Sequence, residues 1–162
     1  MSSGWSDDRG ESLIEILVAV LILGLTVAAV MGGLLTSVKV SDLHRKQATA
    51  GADVRSYAES VTRAVASPGG YKTCAVPSDY LPVAGTDANK VHFTASAGFE
   101  PTVTKVEYWS DSGPGTTWAW SSTCAPDWGL QRVTLQVQSD DERATEQSVV
   151  VLRAPCGAGV TC

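Results

Sequence analysis

From Ile16 to Val38 the chain runs 23 residues without a charged side chain. As a helix this stretch is ~35 Å long, enough to cross the ~30 Å hydrocarbon core of a bilayer. Leu, Ile, Val and Ala dominate it and no proline interrupts it. The segment therefore predicts a transmembrane helix over residues 11–40. It also limits the remainder to about 120 residues, enough for one small core.

The helix is predicted to continue beyond the apolar run. Residues 39–66 contain no proline and one glycine, Gly51. Val54, Ala58, Val61 and Val65 recur at helical spacing, with charged residues between them. Ser67-Pro68-Gly69-Gly70 then stops the helix. One helix over 11–66 follows, apolar all round in its first half and amphipathic in its second. The amphipathic half must lay its stripe on whatever comes next.

Residues 67–162 read as a β-rich domain punctuated by Gly, Pro, Ser and Thr. Val91-His92-Phe93-Thr94 reads as a short strand. Thr102 to Ser110 is a stronger one, with Val106 and Tyr108 on one face and Lys105, Glu107 and Trp109 on the other. Asp111 to Gly115 is a turn. Thr116 to Ser121 is a strand with Trp118 and Trp120 on one face. Leu130 to Gln138 alternates as a half-buried strand does. Gln147 to Arg153 contains Val149-Val150-Val151-Leu152, apolar on both faces, which suggests a central strand. The expected fold class is α+β: a long N-terminal helix packed on a small antiparallel sheet of about four strands.

Charge and cysteines narrow the setting. The net charge is −5, and six Lys or Arg face ten Asp or Glu beyond Ser67. Nucleic-acid binding through phosphate neutralisation is not expected of such a surface. The four cysteines, Cys74, Cys124, Cys156 and Cys162, all follow the apolar segment. That placement suggests two disulfides in an oxidising compartment, with Cys74–Cys124 and Cys156–Cys162 favoured among three pairings.

The N-terminal edge of the apolar run carries the functional information. Residues 1–10 are short and polar, unlike the basic leader of a secretory signal, and form a leader peptide if any segment is removed. Glu15 is a lone carboxylate at the lip of the span, tolerable near headgroups but costly when packed among helices away from water. Cleavage after Gly10 would give Glu11 a free α-amino group. On a neighbouring subunit that amine is a natural partner for Glu15, neutralising two charges in an apolar bundle.

Gly10-Glu11-Ser12-Leu13-Ile14-Glu15 before an uncharged run resembles the class III signal of type IV prepilins and type II secretion pseudopilins, whose usual pattern is Gly-Phe-Thr-Leu-Ile-Glu. Glu11 stands where the family usually has Phe, and Gly32-Gly33 lie where major pilins often carry a proline. The resemblance implies cutting between Gly10 and Glu11 by a membrane-embedded prepilin peptidase, with N-methylation of Glu11. It implies assembly through Leu13, Ile14 and Glu15, with Glu15 guiding docking. Its implied partners are that peptidase, other pilins or pseudopilins, an assembly platform protein, and membrane lipid before assembly. The expected location is a single-pass plasma-membrane protein with its C-terminal domain extracytoplasmic, reaching the cell surface or a filament after assembly.

Some pseudopilins bind Ca²⁺ in a C-terminal loop, which makes Asp140, Asp141 and Glu142 candidate ligands. A solvated hairpin turn is the other reading of the same residues. No nucleophile–base pair, zinc-protease motif or phosphate loop is present, and no enzymatic activity or obligatory cofactor is expected. The leading function is thus a pilin-like structural subunit, minor pilin or pseudopilin, of a type IV pilus or type II secretion-like filament. The alternative is a single-pass, membrane-anchored binding module that uses its aromatic-rich β domain.

Overall fold

A computed structural model describes residues 11–110, 117–124 and 127–155, side chains of residues 11 and 12 excepted. Helix α1 spans Glu11–Ala66, strand β1 Phe99–Ser110, β2 Ala119–Ser121, β3 Leu130–Ser139 and β4 Thr145–Arg153. A short 3-10 turn, Pro77–Tyr80, lies between α1 and β1. The chain divides into two compact units, residues 1–42 and 43–162.

The described part of the first unit, residues 11–42, is helix. Its large apolar side chains from Leu13 to Val40 are all exposed, and its length and composition suit a membrane span. Two hydroxyls in it are satisfied by the helix itself: Thr26 Oγ1 donates to Leu23 O at 2.8 Å and Thr36 Oγ1 to Gly32 O at 3.0 Å.

In the second unit the helix ends where its sequence stops it. Gly69 takes φ +74°, a region open to glycine, and Arg63 places positive charge in the last turn. Gly70 is held by close approach: a Cβ there would lie 1.8 Å from Ala64 O. Val54, Tyr57, Val61, Ala64 and Val65 form the buried stripe, and Ala58 packs at its margin. The expected stripe is present, but its centre is Tyr57. The phenol is buried, stacks on Phe93 with ring centroids 5.1 Å apart, and donates to Tyr80 O at 2.9 Å.

The sheet is antiparallel in the order β2-β1-β3-β4. Val133, Leu135 and Val137 of β3 point with Val106 and Tyr108 of β1 and Leu152 of β4 into one core with the helix stripe. Each fully buried Val or Leu contributes about 1.5–3 kcal/mol. The α+β architecture expected from the pattern is therefore the observed one. A β-bulge between Val103 and Lys105 keeps it consistent. Without the extra residue, the inward set Phe99, Pro101 and Val103 would run out of phase with Val106, Tyr108 and Ser110.

Three strand expectations are corrected. Val91 to Thr94 form no strand. His92 binds Val83 O at 3.0 Å and Asp87 O at 2.8 Å, and Val83 N donates to Val91 O, so local contacts replace a ladder. Strand β4 is an edge, not a centre. The hairpin places it beside β3, whose other side β1 already occupies. Val149 and Val151 are consequently 58% and 56% exposed on the outer face. Strand β2 is also shorter than the sequence suggested, beginning at Ala119 after Trp118.

Candidate processing and assembly segment

The residues singled out for assembly sit on the first turns of α1. Leu13, Ile14 and Glu15 are all exposed, alongside Ile16 and Leu17. Glu15 is thus a carboxylate presented beside a ring of apolar side chains. Residues 1–10, the expected leader with Gly10 at its end, fall outside the described residues, as does the Glu11 side chain, although Glu11 begins the helix. Glu11 and Glu15 are four residues apart, about one turn or ~6 Å along the axis.

Three glycines of the span lack any need within the chain. A Cβ at Gly24, Gly32 or Gly33 would meet nothing within 4 Å. Each glycine costs about 1 kcal/mol relative to alanine in a helix interior. In membranes, small residues of this kind allow helices to approach one another closely.

In the second unit, Cys74 and Cys124, 50 positions apart in sequence, form a disulfide with Cα atoms 5.6 Å apart. Cys156 and Cys162 lie outside the described residues. The bridge sits beside a polar network that sequence reasoning did not find. Asp127 accepts from the Tyr71 hydroxyl at 2.8 Å, Cys74 N at 3.0 Å, Gly129 N at 2.8 Å and the Gln131 amide. Gln131, fully buried on β3, also donates to Lys72 O at 2.8 Å and accepts from the Tyr80 hydroxyl. Tyr108 donates to Ala75 O at 2.7 Å. These bonds fasten the irregular segment 71–80 onto the sheet. The only sequence signal was a glutamine at an inward position of an alternating strand.

Electrostatics follow this packing. Burial raises the Tyr57, Tyr71, Tyr80 and Tyr108 phenols above their usual value, and the Asp127 carboxylate adds to the rise at Tyr71. Burial opposes ionisation of Asp79, but the Lys72 ammonium and the Val76 N–H outweigh it and hold the carboxyl below its usual range.

The acidic segment is the β3–β4 hairpin turn. Asp141 pairs with Lys46 of α1, accepts from Ser139 Oγ at 2.7 Å and lies 3.3 Å from Arg143 Nε. Lys46 above all holds its carboxyl well below the usual range. Glu142 adopts φ +58° in the turn, and Asp140 N donates to Gly98 O. The central carboxylate of the turn is therefore engaged by side chains of the protein. Among the described residues, no group of three or more His, Cys, Asp or Glu is placed to hold a metal ion.

Residues 5–31 match a family model described as the prokaryotic N-terminal methylation motif. No curated protein and no solved structure matches the chain.

Proposed function

We propose, from the class III signal of type IV prepilins and pseudopilins that residues 5–31 carry, that this chain is the precursor of a pilin-like filament subunit. A prepilin peptidase cuts between Gly10 and Glu11 and methylates the new amine. The helix then leaves the bilayer for a bundle of like helices in a type IV pilus or a secretion pseudopilus, as a minor component. The single observation that carries this reading is the matched motif lying across the start of a long, exposed apolar helix.

Physical chemistry supplies the assembly logic. In lipid, the apolar side chains of 13–40 are solvated by acyl chains and Glu15 by headgroup water. Out of lipid, both must be covered by other helices. A neighbouring helix offset by about one turn, ~6 Å, brings its residue-11 amine level with Glu15. The two charges then compensate each other in an apolar interior. The disulfide-bearing domain belongs, on this reading, to the extracytoplasmic side.

The test is the intact mass of the chain recovered from cells with an active prepilin peptidase. The expected mature form lacks residues 1–10 and carries a methyl group on the Glu11 amine. Recovery of the full-length chain alone would overturn the reading.

A further inference from the structure

Four of the chain's five tryptophans gather on the outer face of the sheet, away from the core. Trp109 of β1 faces Trp120 of β2 across the ladder, with ring centroids 5.2 Å apart. Trp118 stacks on Trp109 at 6.2 Å and 14°, and Trp128 stands edge-on to Trp118 at 5.8 Å and 67°. Trp118 and Trp128 remain 47% and 50% exposed. An indole left half in water contributes little to folding, and contiguous exposed aromatics mark an interaction surface.

The polar neighbours are fixed. Glu107 receives Arg132 Nη2 at 2.7 Å and Nε at 2.8 Å and holds Lys105 at 2.8 Å. The Arg132 guanidinium lies 4.8 Å from the centroid of the Trp120 ring. Further along the same face β3 offers neutral amides, with Gln147 of β4 donating to Gln136 at 2.7 Å. The surface thus combines two indole planes meeting at a corner with anchored hydrogen-bonding groups and no unbalanced run of charge.

We infer that this corner binds the pyranose rings of a neutral polysaccharide. A pyranose in chair form presents an apolar C–H face and a rim of hydroxyls. The face lies on one indole and an edge meets the other, while hydroxyls reach Arg132 and the amides. Single-stranded nucleic acid also stacks on aromatics, but it needs several cations for its phosphates. Here both nearby cations are already neutralised in part by Glu107, in a chain of net charge −5. The inference does not depend on whether the chain enters a filament.

The experiment uses the full chain in lipid nanodiscs, titrated with cello-, chito- and xylohexaose and with a twenty-nucleotide oligothymidylate, while tryptophan emission and binding heat are followed. At least one hexaose is expected to bind saturably with a shift in emission. Trp118→Ala and Trp128→Ala each weaken that binding at least tenfold, with an unchanged urea midpoint because both side chains are half exposed. Arg132→Lys, which keeps the charge and loses the guanidinium plane, weakens it less. No binding of any hexaose overturns the inference. So does binding that survives both tryptophan variants, and so does binding of the oligothymidylate alone through the same tryptophans. If either tryptophan variant unfolds, periodate oxidation of cello- or xylohexaose, whose rings keep the C2–C3 diol that periodate cleaves, replaces it: binding must vanish when the rings are opened, and persistence overturns the inference.

Discussion

The Tyr71 hydroxyl donates to Asp127 Oδ1 at 2.8 Å, joining residues 56 positions apart. Around this bond the loop that leaves the helix is fastened to the sheet, because the same carboxylate also receives Cys74 N and Gly129 N. Replacing Asp127 leaves those donors with nothing to meet, and the cost falls on the whole domain. Hydrogen bonds to charged groups are worth about 1.5–3 kcal/mol each and add imperfectly when they share one group. Asp127→Ala is expected to lower stability by about 3 kcal/mol in urea unfolding. Asp127→Asn, which keeps one acceptor oxygen, falls between it and the parent. A loss below about 1 kcal/mol for the alanine variant would show the network to be peripheral.

Alkali should reveal the same tyrosines. All four, Tyr57, Tyr71, Tyr80 and Tyr108, have phenols raised by burial. The unfolded chain ionises them near pH 10. A group with a raised native pKa stabilises the fold fully below its unfolded value, and that stabilisation is lost as pH rises through the native one. Tyrosinate absorbance is therefore expected to stay absent at pH 10 in the folded chain and to appear together with loss of tertiary structure above it. Ionisation of two or more tyrosines near pH 10 with the fold intact contradicts this.

The bridge between Cys74 and Cys124 closes a loop of 50 residues. Chain entropy assigns such a crosslink about 4 kcal/mol. Cys74→Ser with Cys124→Ser is expected to move the urea midpoint by an amount approaching that value. The Asp127 network lies against the bridge, so the combined loss with Asp127→Ala should be less than additive. Full additivity would mean that the bridge and the network hold the loop independently.

On the proposed function, Glu15 separates processing from assembly. Glu15→Gln removes the charge and keeps the shape, and the proposed peptidase site before Glu11 is left intact. The variant is expected to show the same mature mass as the parent. Its incorporation into filaments should fall at least tenfold, because the partner amine no longer meets an opposite charge. Equal incorporation of the two forms would remove the docking role.

The acid side provides a smaller test. Asp79, Glu107 and Asp141 are all held below their usual range by lysine or arginine partners. Groups with depressed native values stabilise the fold above their unfolded pKa and cease to do so as pH falls through the native one. Stability is therefore expected to decline below about pH 4. Asp141→Asn should flatten part of that decline in pH-dependent urea midpoints, and an unchanged slope would dissociate the Lys46 pair from it.

By itself, the sequence determined the features that depend on local periodicity. The uncharged run fixed the span, the Ser67-Pro68-Gly69-Gly70 break fixed the helix end at Ala66, and the clean alternation in 130–138 fixed β3. The six residues from Gly10 to Glu15 carried the functional reading, because that chemistry needs a short contiguous pattern. Tertiary structure decided what depends on distant residues. An apolar Val149-Val150-Val151-Leu152 run is compatible with a centre or an edge, and only the pairing of β1 with β3 made it an edge. Tyr57, Asp127 and Gln131 are polar or amphipathic residues whose partners lie far along the chain, so no spacing announces them. The four clustered tryptophans belong to the same class. Alternation placed two of them on one face, but which face met solvent was decided by the helix that covers the other.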